Sequence, residues 1–166
     1  MDPFYVLNIQ MTLSLVAFAL IARWHVAPRL RTLPRDSALV PLLWVNVFRY
    51  TPLTFFAPGQ VSPDVPPEVA AVIAYGDLVS GLLALVALLA LRLRLAAAVA
   101  LVWVFNLVGI GDIFWATAKG IGAQLYTFPL GWNWYILNFY VPMLIVTHVM
   151  MTHQLVKGNR ARPATA

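Results

Sequence analysis

Three ionisable side chains, Arg49, Asp77 and Asp112, stand inside long apolar runs of the sequence. In hydrocarbon each such charge costs about 2.5–3.5 kcal/mol on insertion scales, so a chain that keeps three of them is expected to use them. Their depth can be counted from the nearest boundary residues. Arg49 lies nine residues before Pro58, Asp77 nine after Glu68, Asp112 seven before Lys119, and Asn138 seven after Gly131. At a rise of about 1.5 Å per residue, all four fall roughly 10–14 Å below one face of a membrane. They belong to four different apolar runs and are expected to meet at one level.

Other polar and aromatic residues gather around that level. Asn46, Arg49 and Tyr50 have i, i+3, i+4 spacing and are expected on one helix face. Trp134 and Tyr135, four and three residues before Asn138, repeat the pattern, and Asn8 enters from a similar height. Pro52 and Pro142 cannot donate to the carbonyls of Phe48 and Asn138, which leaves backbone acceptors for water, a cation or a ligand. The expected site is a polar cavity walled by aromatics, lined by Arg49, Asp77, Asp112, Asn138, Asn46, Tyr50, Tyr135 and Trp134. If Arg49 neutralises one aspartate, the other is left over as a proton carrier or cation ligand. The alternative is structural: an ion pair that fixes helix register, with Asn46, Asn106 and Asn138 as interhelical hydrogen-bond glue.

The three histidines are expected elsewhere, near the opposite face. His148 and His153 are five residues apart, not the three or four of a helical ligand pair, and the chain has no cysteine. No metal site and no cofactor is therefore expected. His148, beside Thr147, is the candidate for the inner end of a proton or ion path. The sequence has no phosphate-binding loop, no dinucleotide-binding glycine pattern, no HExxH and no GxSxG, which disfavours ATP-driven and serine-hydrolase chemistry. Gly109 and Gly111 beside Asp112 read as helix packing or a local break.

These residues need elements to carry them. Of the 166 residues 61% are apolar and 10% charged, against about 45–50% and 25% for a soluble domain. Too few polar side chains remain to cover a soluble core, so the chain is expected to be an all-α integral membrane bundle forming a single transmembrane domain. Five apolar runs of spanning length emerge, at about 4–22, 39–57, 69–91, 96–117 and 131–152. Of eleven Lys and Arg, nine flank these runs on one side: Arg23, Arg29, Arg31, Arg35, Arg92, Arg94, Lys157, Arg160 and Arg162. The positive-inside rule makes that side cytoplasmic, with the N-terminus outside and the C-terminus inside. The first run lacks a basic n-region and is expected to be retained rather than cleaved.

The loop at 58–68, with Pro58, Pro63, Pro66 and Pro67, is expected to be a stiff cap; the one at 118–130, with Gly120 and Gly122, is expected to be more mobile. The short link Arg92–Leu95 predicts a helical hairpin, and Gly76, Ser80, Gly81 and Ala84 predict a close packing seam. The formal charge of +5 sits on flanks of apolar runs, which points to the lipid bilayer as partner and not to nucleic acid. Nine Arg against two Lys, with abundant Ala, Val and Pro, fits a GC-rich bacterial gene and hence a bacterial inner membrane.

Functionally, the expectation is a non-enzymatic protein whose outward-facing cavity binds or transports a small molecule or ion. Five helices are few for a transporter built from paired repeats, so transport would imply a homodimer. Two alternatives stand beside it: an intramembrane enzyme with isomerase-like acid/base chemistry on a lipid or isoprenoid, and a structural or accessory subunit of a membrane complex.

Overall fold

A computed structural model describes residues 1–157, and every regular element among them is helical. Arg160 and Arg162, two of the basic flanks, lie outside the described residues. Helix α1 runs Pro3–Arg31, α3 Pro67–Arg92, α4 Ala98–Gly122 and α5 Asn133–Val156; these four are long and apolar enough to cross a membrane. The second expected span takes a different form. Helix α2 is α-helical over Arg35–Val47 and continues as a 3-10 helix over Phe48–Phe56.

Proline accounts for the irregular stretches. Pro52 has no N–H for the carbonyl of Phe48, and the tighter helix begins at that residue. Pro28 and Pro142 each follow a five-residue π-helical turn, at Ala22–Val26 in α1 and Ile136–Tyr140 in α5, which displaces the carbonyl the proline ring would strike. The ends are set by local chemistry as well. The Asp2 carboxylate accepts from the Phe4 amide at 2.8 Å with Pro3 in the first turn. Two residues past the ends of α3 and α4, Arg94 and Gln124 take left-handed backbone at φ 54° and 50°, which turns the chain away from each helix.

Helices α3 and α4 form the expected antiparallel hairpin, joined by residues 93–97. Helix α2 lies against α3, with the bare face of Gly81 admitting the Val47 carbonyl and the Arg49 Cβ. Helix α5 packs on α2 and α4, and α1 packs on α5. Phe4 meets Tyr126 beyond the end of α4, Gln10 meets Trp134, and Phe18 meets Phe139, so α1 runs parallel to α5. No residue of Pro3–Ile21 is buried, which makes α1 a peripheral helix with apolar side chains on every face.

The bundle therefore has two distinct ends. At the basic end lie Arg23, Arg29, Arg31, Arg35, Arg92, Arg94 and Lys157; at the acidic end lie Asp2, Asp64 and Glu68 with Lys119. The loop at 58–66 is pinned to the one before α5: the Ser62 amide donates to the Pro129 carbonyl at 2.9 Å. Gly131 has φ 52°, and its bare Cα faces the Gln60 carbonyl so closely that no side chain would fit. The loop before α5 is shorter than expected, because α4 extends to Gly122 and a 3-10 turn occupies Leu125–Thr127.

Candidate functional site

Arg49 is fully buried at the centre of the bundle. Its Nε donates to Asp77 Oδ1 at 2.7 Å from α3, and its Nη2 donates to Asp112 Oδ2 at 2.7 Å from α4. Nη1 donates to the Gly109 carbonyl at 3.2 Å and to His148 Nε2 at 3.1 Å. Four of the five guanidinium N–H groups are thus engaged. The depth count brings Arg49, Asp77 and Asp112 together as expected. It does not leave one aspartate over: the single guanidinium binds one oxygen of each carboxylate, so the fully ionised trio carries a formal charge of −1.

The 3-10 segment explains why Arg49 points inward. Along it Arg49, Pro52 and Phe55 are the buried residues, a spacing of three, since side chains at i and i+3 eclipse in a 3-10 helix. An α-helical count puts Tyr50 beside Asn46 and Arg49. The tighter winding turns Tyr50 out instead, 47% exposed and against Phe48. The larger rise of about 2.0 Å per residue also sets Arg49 deeper than an α-helix would. This is the reason it reaches His148, which was expected near the basic end and away from the charged residues.

His148 has a defined tautomer in this setting. Arg49 can only donate, so Nε2 is the acceptor and the Nδ1 proton goes to Asn106 Oδ1 at 2.8 Å. Asn106 Nδ2 donates to Thr152 Oγ1 at 2.8 Å, and the Thr152 hydroxyl returns to the His148 carbonyl at 2.9 Å. Gly109 makes the arrangement sterically possible: a Cβ there would lie 2.6 Å from His148 Cε1 and 2.8 Å from Arg49 Nη1. Gly76 likewise faces Asp112, with no room for a side chain. Sequence reading assigned both glycines to packing. The signal for a role at the site was the i, i+3 placement of Gly109 and Asp112 on one face of α4.

Other expected members lie apart. Asn138 and Trp134 share a face of α5, but it is turned to α1, where Asn138 Nδ2 and Trp134 Nε1 donate to Gln10 Oε1 at 3.0 and 2.8 Å. Gln10 was missed, although an amide inside an apolar run is itself the sign of an interhelical partner. Tyr135 is exposed and packs on Trp132. Asn46 joins α2 to α5 by donating to Thr147 Oγ1 at 3.1 Å; Asn8, by contrast, lines the same cavity as the charged trio, as expected, with its amide donating to the Phe4 carbonyl at 2.7 Å. His25 and His153 are exposed.

On the acidic-end side of the trio lies a cavity of about 200 Å³. Arg49, Asp77 and Asp112 form its charged surface; Leu7, Phe55, Ile73, Ala116, Leu137 and Leu144 are among its apolar walls, and Leu125 and Tyr126 line it from the loop before α5. Asn133 also lines it, fully buried. Its Oδ1 accepts from Thr54 Oγ1 at 2.8 Å, while Nδ2 has no hydrogen-bond partner. A second, larger space of about 840 Å³ follows the cleft between α4 and α5 toward Lys157. Met11, Ile113, Thr117, Ile121 and Val141 line both spaces, which adjoin there.

No curated protein and no solved structure matches this chain. One family does, over residues 6–156: the chain belongs to the family described as Domain of unknown function (DUF8737).

Proposed function

We propose that the chain is a five-crossing membrane protein whose central cavity binds a small amphipathic molecule. Connectivity supports the fifth crossing: α1 ends at the basic end and α3 begins at the acidic end, so residues 35–56 must connect the two. Thirteen α-helical and nine 3-10 residues extend about 37 Å, enough for a hydrocarbon core of about 30 Å. The positive-inside rule puts the basic end in the cytoplasm and the cavity in the outer half.

The observation that carries the binding role is that Arg49, Asp77 and Asp112 form one wall of a cavity whose remaining lining is mostly apolar, with the Asn133 amide as an unpartnered polar group. An ion triad that only fixed helix register would be best served by close packing around it. The ligand that fits has an apolar body and a head that donates a hydrogen bond to a carboxylate, while its acceptor meets the unpartnered Asn133 amide. A carboxylate or phosphate head would meet two carboxyl groups held by a single guanidinium.

The test uses a photoreactive hexanol in phosphatidylcholine nanodiscs. Labelling is expected on the cavity-facing residues of α4 and α5, and Ala116→Phe, which fills the cavity, should cut it about tenfold. Labelling that is unchanged by Ala116→Phe would overturn the reading. A second reading, acid/base chemistry on a lipid or isoprenoid, is favoured by the cleft beside Asp112 and His148, which a lipid-soluble substrate could enter sideways. Incubation with membrane lipids followed by mass spectrometry should then give a product that Asp112→Asn abolishes.

A further inference from the structure

We infer that the α4/α5 cleft is a chain-binding groove, and that the ligand of the central cavity is a single-chain lipid with a hydroxyl or amine head. This rests on the cavity reading and extends it. The cleft runs along α5 from Val141 to Lys157 just past its end, seventeen residues spanning about 24 Å. That exceeds the half-thickness of about 15 Å available to one leaflet. A pocket for a compact solute has no need of such length, whereas an extended hydrocarbon chain fills it. Its walls are suited to hydrocarbon: Ile110, Phe114, Ile145, Val149 and Val156 project into it. Phe114, Val149 and Val156 are 72%, 65% and 71% exposed, so the groove is open along its side to the surrounding lipid.

The direction of the ligand follows from where the charges stand. The groove joins the cavity at Ile113, Thr117 and Val141, beside Asp112; its lining reaches Ile121 on α4 at the acidic side and follows α5 toward the basic end as far as Lys157. A lipid of the acidic-end leaflet has its head toward that end and its chain toward the midplane. It can move sideways between α4 and α5 without inverting, seat its head against Asp77, Asp112 and Asn133, and lay its chain along the groove past His148. The head class follows from the trio: Arg49 binds one oxygen of each carboxylate, which leaves Asp77 Oδ2 outside the ion pair, while Asp112 Oδ1 lies against Gly76. A neutral hydroxyl or a cationic amine suits such an acceptor, and a fatty acid does not.

The experiment compares two photoreactive alcohols at equal mole fraction in phosphatidylcholine nanodiscs holding the full chain: hexanol, and hexadecanol with the reactive group near the chain end. Hexadecanol adducts are expected on Ile110, Ile145 and Val149 in the groove, and hexanol adducts in the cavity. Ile145→Trp, which narrows the groove alone, should lower the hexadecanol yield about tenfold and leave hexanol within about twofold. Val149→Trp provides the same test should Ile145→Trp fail to fold. A palmitate probe should label about tenfold less than hexadecanol. Hexadecanol adducts spread over α1 and α3, or a yield untouched by both tryptophans, would overturn the groove while hexanol labelling kept the cavity reading intact. Loss of cavity labelling by both alcohols would remove the two readings together.

Discussion

The two halves of the bundle are built from the same kinds of apolar residue and are packed differently. In the basic half Leu39, Leu43, Leu88, Val102, Phe105 and Met151 close around Ala84 and Ala87, all at 2% exposure or less. Small residues on α3 let the neighbouring helices approach, and in lipid such packing supplies much of the attraction between helices. In the acidic half Phe55, Val65, Val69, Ile73, Leu125 and Leu130 form a second cluster. There the backbone departs from the α-helix, at the 3-10 segment of α2 and the π turn of α5, and a cavity remains between helix and cluster. Among the helices that enclose the core the difference lies in backbone winding and not in hydrophobicity; the π turn at Ala22–Val26 of the basic half belongs to the peripheral α1. Proline is responsible for much of it.

The sharpest test of this division lies at the boundary between the halves. Arg49→Met removes the only cation among the described contacts of Asp77 and Asp112, leaving two buried carboxylates side by side. Loss of one partner from a buried ionic group costs about 3–5 kcal/mol. Unfolding in mixed detergent micelles should show a loss of that size, and Arg49→Met combined with Asp77→Leu and Asp112→Leu should recover most of it. A triple variant as unstable as the single would mean that the trio stabilises the fold through something other than charge matching. Next in size is the dry core. Phe105→Ala in the basic half should cost about 3–5 kcal/mol through the cavity it opens. Ile73→Ala, beside the existing cavity, should cost less, about 1–2 kcal/mol, since fewer contacts are lost there. Equal costs would erase the contrast.

The sequence made the fold legible where the helix repeat is regular. The limits of α3, the start of α4, the hairpin between them and the seam at Gly76, Ser80, Gly81 and Ala84 follow from apolar run length and residue size, whereas α4 runs on to Gly122, past its expected end at 117. Depth counting also brought Arg49, Asp77 and Asp112 together, because each count ran over only seven to nine residues and a small error in rise did not separate them. Face assignment was less tolerant. A change from 3.6 to 3.0 residues per turn rotates each following side chain by about 20° more, enough to carry Tyr50 away from Arg49. Asn138 shows the other limit: a depth count does not give azimuth, and its side chain faces Gln10. His148 was assigned to the wrong neighbourhood because the count started from the basic end of α5, with Arg49 placed too shallow. Had Pro52 been read as a change of helix type, Arg49 would have been set deeper from the start.

Gly109 and Gly111 form a matched pair on α4 that tests the packing of the charged centre. Gly109→Ala drives a methyl group against His148 and Arg49 Nη1, and overpacking of that kind costs about 1–3 kcal/mol. At Gly111 the same methyl group would meet nothing within 4 Å, so Gly111→Ala should be neutral or stabilising by up to about 1 kcal/mol from helix propensity. Imidazole nitrogen chemical shifts should move for Gly109→Ala, as His148 Nε2 loses its donor, and stay unchanged for Gly111→Ala. If both variants behave alike, the imidazole is not seated against Gly109.

The smallest effect expected is at the edge of the bundle, where α1 lies on α5. No residue of Pro3–Ile21 is buried, and its polar attachment is Gln10 Oε1, which accepts from both Trp134 and Asn138. Interhelical hydrogen bonds in membranes average about 0.6 kcal/mol, since the separated helices find other partners. Asn138→Ala should therefore cost about 0.5–1 kcal/mol and leave the Arg49 site intact. The effect is more informative in motion than in stability. Leu7 and Met11 of α1 line the cavity, so a looser α1 should quicken exchange of a cavity probe before it changes unfolding. Faster exchange of hexanol in Asn138→Ala, with cavity labelling retained, would make α1 the movable wall. Unchanged exchange would leave the α4/α5 cleft as the way in.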